Sequence, residues 1–249
     1  HKDRGLTYEL IERCKKAKFT SLCLTIDTIV AGNRERDLRT GMTMPPKFTA
    51  SSLLSFATRP RWVYNYFTHE SFKLANLEGK TEKGSKESVS VIDYLNSQFD
   101  TNLCWDDAQK AVEAWGGPFA IKGVMSVEDA KRAVSIGASA IMISNHGGRQ
   151  LDTSPAPFDL ISDIVNAVGG KIEIICDGGI RRGTHVLKAL ALGADACSMC
   201  RPYLYGLAAS GQVGVEAVLS NFEDELKRNM MLMGVNNLSQ LDNSKIRKR

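Results

Sequence analysis

The stretch 119–145, FAIKGVMSVEDAKRAVSIGASAIMISN, decides the fold. Two short apolar runs, FAIKG and SAIMISN, flank an amphipathic stretch, SVEDAKRAVSIGA, that has helical periodicity. Short apolar runs that end in glycine or polar residues are typical of strands buried on both faces, and a helix between two such strands makes them parallel. The stretch therefore predicts a strand–helix–strand unit within a parallel sheet.

The same alternation continues on both sides of this unit. Further strands are predicted in SLCLTID (21–27), IEIICDGG (172–179) and ACSMCRP (196–202), and further helices over 7–18, 154–170, 182–194 and, as a short aromatic helix, 61–67. Strict alternation of this kind is typical either of an open doubly wound sheet or of a (β/α)8 barrel.

The residues at the strand ends favour the barrel. Functional side chains of a barrel occur at the C-terminal ends of several strands. Here the strand ends carry Thr25 and Asp27, Lys122, His146 and Arg149, Asp177, and Arg201. We therefore expect an α/β chain with the (β/α)8 TIM barrel fold. Since five strands do not close an eight-stranded barrel, we expect residues 1–249 to be the C-terminal part of one barrel domain, inactive alone, with about three N-terminal strand–helix units missing.

Composition excludes several classes of protein. No apolar run approaches the roughly 20 residues that span a bilayer, and the N-terminal residues lack the apolar region of a secretory signal. The formal charge is +4, and the last five residues, KIRKR, hold four basic groups, so the rest of the chain is nearly neutral and no nucleic-acid partner is expected. The six cysteines follow no disulfide framework, which favours a cytoplasmic protein, and no metal site is predicted.

One polar segment interrupts the alternation. EGKTEKGSKESVS, residues 78–90, contains three acidic residues and three lysines and little apolar surface. Such a segment gains too little from burial to offset the entropy of ordering. We expect a mobile excursion at about 76–92, either over the active face or as a spacer without a role.

The motif SNHGGRQLD, residues 144–152, follows a predicted buried strand. Glycines let the backbone approach a flat ligand closely, and Arg149 offers a planar fork that suits a carboxylate. A histidine in this position is either a hydrogen-bonded structural residue or a base, and these neighbours favour a base beside an anion clamp.

A second motif, DGGIRRG, residues 177–183, opens the helix after the fourth strand. Exposed backbone N–H groups, the positive end of the helix dipole and Arg181 together predict a phosphate site, which Arg201 could share. A glycine-rich turn with solvated arginines is the structural alternative.

These motifs resemble, in order, those of the FMN-dependent α-hydroxy acid oxidases and dehydrogenases. The resemblance rests on LTIDTIVAGNRERDLRTGM (24–42), FAIKGVMSVEDAKRAV (119–134), SNHGGRQLD (144–152), DGGIRRGTHVLKALALGADA (177–196) and RPYLYGLAASGQVGV (201–215). It implies a flavoenzyme that oxidises a small L-2-hydroxy acid, with lactate the first candidate because NSQFDTNLCWDD resembles the lactate dehydrogenase branch.

The resemblance also implies a role for each matching residue. His146 matches the active-site base, Asp27 the carboxylate that orients it, and Arg34 and Arg149 the clamp for the substrate carboxylate. The FMN-binding positions are Thr25, Lys122, Ser144, Asp177, Gly178, Gly179, Arg181, Cys200 and Arg201. Cys200 departs from the family pattern, which has glycine there, so a thiol is expected to crowd the phosphate end.

Partners follow from the same resemblance. Electrons would pass from reduced FMN to a quinone, a cytochrome or oxygen, and relatives are commonly tetramers. The basic tail KIRKR is either a solvated helix end or a peripheral contact with the inner face of the cell membrane. The alternative from another class is a phosphate-binding barrel isomerase without flavin, for which the paired arginines have less use.

Overall fold

The computed structural model describes residues 1–41, 48–70, 76 and 97–247. They form two units: His1–Arg4 with residues of Val30–Thr101, and Gly5–Ile29 with Asn102–Arg249. Apart from Asn76, the excursion predicted at 76–92 lies outside the described residues.

A parallel sheet organises the second unit. Among the described residues, its five strands are β1 (Leu22–Thr25), β2 (Phe119–Val124), β3 (Ala140–Ser144), β4 (Glu173–Asp177) and β5 (Ala196–Ser198). They pair in chain order, and every pairing is parallel. A doubly wound sheet reverses its strand order at a switch point. The sequential order found here confirms the barrel type of α/β fold, and each predicted strand lies where the sequence placed it.

Helices connect and cover these strands. They are α1 (Arg4–Lys16), α5 (Trp105–Trp115), α6 (Val127–Ser135), α7 (Pro157–Val168), α8 (Gly183–Ala191) and α9 (Arg201–Leu232). Local signals set their starts: the Ser126 hydroxyl accepts a hydrogen bond from the Asp129 N–H before α6, and Pro157 opens α7. The long α9 changes direction at Ser210 and Gly211, where Gly211 has φ 60°.

The core lies between the sheet and the helices. Its fully buried side chains come mainly from the central strands and α7, and include Phe119, Ile121, Ile141, Ile143, Ile161 and Ile174. Burying a side chain of this size contributes about 1.5–3 kcal/mol relative to leaving it exposed. This core fixes the central strands, so the polar residues at their C-terminal ends start from a rigid base.

The first unit contains three short helices among its described residues. They are α2 (Glu35–Thr40), α3 (Ala50–Ala57) and α4 (Pro60–Thr68). The short aromatic helix predicted at 61–67 is confirmed as α4, whereas α2 and α3 were not predicted. Rings from α3 and α4 stack outside any core: Phe56 lies 5.1 Å from Trp62, and Trp62 lies 5.3 Å from Tyr66, between ring centroids.

Candidate active site

An imidazole–carboxylate pair forms beyond the ends of β1 and β3. His146 Nδ1 lies 3.1 Å from Asp27 Oδ1 and 3.3 Å from Oδ2. A carboxylate on Nδ1 fixes the tautomer that carries its proton there and leaves Nε2 to accept one. Gln150 Nε2 donates to the backbone oxygen of Asp27 at 2.9 Å, which anchors the carboxylate's own backbone.

A glycine in β2 makes room for this pair. Gly123 has φ 103°, and a Cβ built there would lie 2.9 Å from Asp27 Cβ and 3.0 Å from its Cγ. Residues with a side chain rarely adopt this backbone conformation, and any side chain here would displace the Asp27 carboxylate. Gly123 is therefore part of the site although it has no reactive group.

Beneath this pair, three side chains form a closed polar cluster. Lys122 Nζ lies 3.0 Å from Asp177 Oδ2 and donates to Ser144 Oγ at 2.9 Å. The Ser144 hydroxyl donates to Asp177 Oδ2 at 2.6 Å. Burial alone would raise the pKa of Asp177, but the hydrogen bonds from Ser144 and Lys122 and the charge of Lys122 outweigh it, and the pKa lies below its ordinary value. The cluster thus holds an ammonium and a carboxylate, both charged, at the sheet's C-terminal edge.

A cavity of about 620 Å³ opens above these groups. This volume lies within the range of small-molecule and cofactor sites. Its lining includes Thr25, Lys122, His146, Arg149, Asp177, Gly178, Gly179, Arg181, Cys200 and Arg201. The structure therefore brings ten of the thirteen predicted site residues to one cavity.

The remaining three predicted residues lie elsewhere. Asp27 is next to the cavity through its contact with His146. Ser144 is completely buried and its hydroxyl is bonded to protein groups, and the flavin contact expected for it stays a prediction. Arg34 precedes α2 in the first unit and is exposed, and its part in a carboxylate clamp stays a prediction.

Both arginines that the sequence assigns to a phosphate line the cavity. Arg181 and Arg201 both lie in the wall, and Arg201 donates to the Gly147 backbone oxygen at 3.2 Å. The first N–H of α8 is already used, because Gly183 N donates to Glu225 Oε2 at 2.7 Å. Since this carboxylate caps the helix, the anion site predicted at the helix N-terminus depends on the arginines and the Gly178–Gly179 loop instead.

The cysteines separate into inert and accessible thiols. All six are free, and burial raises the pKa of Cys176 to about 12 and that of Cys197 to about 11. At those values almost no thiolate exists near neutral pH, so neither thiol of the sheet is a nucleophile. Cys200 is exposed in the cavity wall, and its φ of −124° lies outside the left-handed region that favours glycine.

Three residues of the site were missed by sequence reasoning. Gly123 lies inside the strand FAIKG and Gln150 inside the motif SNHGGRQLD. Their distances from Asp27 in the sequence do not indicate that both contact it. Ser198, at the end of β5, hydrogen-bonds Asp177 and lines the cavity. Only the folded register of β4 and β5, which sets Asp177 beside Ser198, reveals that role.

The residues present fit a flat phosphorylated cofactor such as FMN. Two arginines of the lining match a phosphate, and the Lys122 ammonium lies in the wall of the same cavity. Gly179 has φ 73°, and a Cβ there would meet no protein atom within 4 Å, so a ligand can approach its backbone. The donor set therefore suits a ligand that carries an anionic group for the arginines and an acceptor for the Lys122 ammonium.

Known proteins resemble the chain over nearly its whole length. It is 40% identical to an L-lactate oxidase of Nostoc sp. over 98% of this chain and 61% of that protein. It is 38% identical to an L-lactate dehydrogenase of Xanthomonas campestris pv. campestris over 96% of this chain and 62% of that protein. The chain thus spans about three-fifths of the length of these relatives.

Solved structures agree with these matches. A crystal structure of the monotopic membrane protein (S)-mandelate dehydrogenase superposes with a TM-score of 0.91 at 32% identity, over 100% of this chain and 65% of that one. A flavocytochrome b2 mutant with pyruvate bound gives 0.72 at 29% identity, over 97% of this chain and 50% of that one. The family model described as FMN-dependent dehydrogenase matches residues 1–248. The chain therefore belongs to the FMN-dependent dehydrogenase family.

Proposed function

We propose that the native protein oxidises a small L-2-hydroxy acid, with L-lactate the first candidate, to the 2-oxo acid with FMN as cofactor. The observation that carries this proposal is the His146–Asp27 pair facing a cavity that also holds Arg149 and Lys122. Family membership and two relatives named for L-lactate support it. Membership of this family also argues against the alternative function, a phosphate-binding barrel isomerase without flavin.

His146 is the base in this proposal. Asp27 holds the proton on Nδ1, so Nε2 takes a proton from the substrate. The carboxylate then stabilises the imidazolium that forms, because it lies within hydrogen-bond distance of the same ring. When bound, FMN would supply the electron acceptor, taking the two electrons and the second hydrogen that the substrate loses on becoming a 2-oxo acid.

In this proposal Arg149 orients the substrate, and Lys122 stabilises negative charge on the cofactor. Arg149 lines the same cavity as His146, and a guanidinium pairs with the substrate carboxylate through two parallel hydrogen bonds. We propose Arg34 as the second half of this clamp. Lys122 supplies a fixed cation where negative charge accumulates on the reduced cofactor, and Arg181 and Arg201 hold its phosphate.

Flavin reduction tests the proposal directly. Purified native protein should contain FMN, and anaerobic L-lactate should bleach its visible absorption, whereas D-lactate should not. Readmitting oxygen then separates the acceptors, since peroxide indicates an oxidase and its absence favours a quinone or a cytochrome. A colourless protein that binds no added FMN would refute the assignment.

We further propose a peripheral membrane contact through α3 and α4, on the cytoplasmic side. Residues 49–69 contain no acidic residue and two arginines. Apolar and aromatic side chains there are highly exposed: Leu54 by 68%, Tyr66 by 64% and Phe67 by 78%. Aromatic rings and cations together suit the headgroup region of an anionic bilayer. The mandelate dehydrogenase relative described as a monotopic membrane protein supports this proposal.

Vesicle sedimentation tests this contact. We expect the protein to sediment with vesicles that contain phosphatidylserine, and the double variant Tyr66→Ser, Phe67→Ser to stay in the supernatant. Tyr205→Ser, Val213→Ser is the matched control, because those side chains are exposed by 70% and 69% on α9. Equal loss of sedimentation in both variants would refute a contact specific to α3 and α4. In the part of the chain that the structure describes, no helix could cross a bilayer.

A further inference from the structure

The Ser144 hydroxyl lies at the junction between the base and the buried ion pair. It donates to Asp177 Oδ2 at 2.6 Å, accepts from Lys122 Nζ at 2.9 Å and accepts from the His146 backbone N–H at 3.1 Å. A serine hydroxyl has one donor and two acceptor positions, so these bonds use its full capacity. The residue is 0% exposed. All three of these bonds are therefore made to groups of the protein itself.

The third of these bonds falls where the backbone is strained. His146 has φ 56°, in the left-handed region that residues with a side chain rarely occupy. Such a conformation persists only when its surroundings fix it. The bond from His146 N to Ser144 Oγ fixes the start of this turn, and the turn directs the imidazole towards Asp27.

The other two bonds fix the ammonium. In the described part of the chain, Lys122 Nζ has Ser144 Oγ and Asp177 Oδ2 as its hydrogen-bond and ion-pair partners, and an ammonium has three donors. Its side chain lines the cavity, so the third donor remains for a group bound there. Moving the hydroxyl would shift both the ammonium and the turn that carries His146.

We propose that Ser144 is a positioning residue that couples the cation of the cofactor site to the backbone of the base. The inference rests on the proposed function. One hydroxyl sets the position of two groups: Lys122, the cation beside the electron acceptor, and His146, which accepts the proton. The two are therefore aligned with each other through a single buried group.

The variant Ser144→Ala tests the coupling with two readouts besides turnover. The first is the reduction potential of bound FMN, which should become more negative because the cation is less firmly held. The second is the NMR signal of the His146 ring, which should shift because its turn loses a bond. We expect kcat/KM for L-lactate to fall about ten- to hundredfold, as small displacements in a site do.

Ser198→Ala is the matched control. The wild-type Ser198 hydroxyl bonds the same Asp177 carboxylate, but no bond joins it to His146 in the described residues. We expect it to change the FMN potential and leave the His146 signal in place. Ser144→Thr, which keeps the hydroxyl, should restore both readouts towards wild type.

The outcomes separate this inference from the proposed function. A His146 signal that is unchanged in Ser144→Ala, or one shifted equally by Ser198→Ala, would overturn the coupling. The ring signal is measured without substrate, so it can be read even if wild-type protein is not reduced by L-lactate. Failure of that reduction counts against the proposed function alone.

Discussion

Replacing His146 with glutamine is expected to lower kcat/KM for L-lactate by about 10²–10⁴-fold while FMN stays bound. The physical reason is that glutamine keeps polarity and approximate size but cannot take a proton at the position of Nε2. The cofactor contacts proposed for Lys122, Arg181 and Arg201 are untouched by the change. Stopped-flow measurement of flavin reduction by L-lactate gives the rate directly.

His69→Gln is the control for this variant. His69 is exposed in the first unit, where its ring nitrogen bonds the Asn65 backbone oxygen, and it has no place in the proposed chemistry. It should reduce flavin at the wild-type rate. Asp27→Asn should be slow as well, because an amide can present its N–H to Nδ1 and reverse the tautomer. Wild-type reduction in His146→Gln would remove His146 as the base.

The strand ends were predictable because of a rule of geometry. The C-terminal ends of parallel strands meet at one edge of a sheet, so residues far apart in sequence, such as Thr25, Lys122 and Asp177, could be expected to share one cavity. The sheet order confirms that reasoning. Apolar runs with β-branched residues marked the strands themselves clearly enough for all five to be located.

Which side chain turns inward at each strand end could not be predicted. Ser144 and His146 are two residues apart, a spacing that puts both on one face of a regular strand. The strand ends at Ser144 and His146 adopts φ 56°, so one side chain is buried and the other lines the cavity. Asp177, expected at the cofactor, is paired with Ser144 on β3 and also lies 3.0 Å from the Lys122 ammonium.

Contacts between helices far apart in the sequence could not be predicted either. Glu225 caps α8 through the Gly183 N–H, and a Cβ at Gly183 would lie 2.7 Å from the Leu226 nitrogen. The sequence shows a glycine and an acidic residue 42 positions apart, with no pattern that relates them. Only the packing of α9 against α8 reveals that the glycine serves helix contact and not phosphate access.

Replacing Lys122 with methionine is expected to destabilise the fold by about 3 kcal/mol and abolish FMN binding. The side chains of Lys122 and Asp177 are only 20% and 12% exposed, so removing the ammonium leaves a largely buried carboxylate without its cation. Methionine has a similar length, which limits the change in packing. Chemical denaturation measures the free energy of unfolding, and quenching of flavin fluorescence measures FMN binding.

The pH dependence of this destabilisation has a definite sign. In the wild type the pKa of Asp177 is lowered, so its contribution to stability is complete above the ordinary carboxyl pKa and is lost as pH falls through the folded value. Without Lys122, the hydrogen bond and the charge that lower the pKa of Asp177 are lost, so this pKa rises above its wild-type value and the variant is penalised as pH rises. The difference in unfolding free energy between wild type and Lys122→Met should therefore shrink below about pH 4.

The double variant Lys122→Met, Asp177→Asn separates the two effects of the lysine. An uncharged amide next to methionine needs no cation, so most of the lost unfolding free energy should return. FMN binding and flavin reduction should not return, because the cation proposed for the reduced cofactor is still absent. If the double variant instead regained FMN affinity, Lys122 would serve only to neutralise Asp177, and the cofactor's charge would have to be balanced by the arginines that line the cavity.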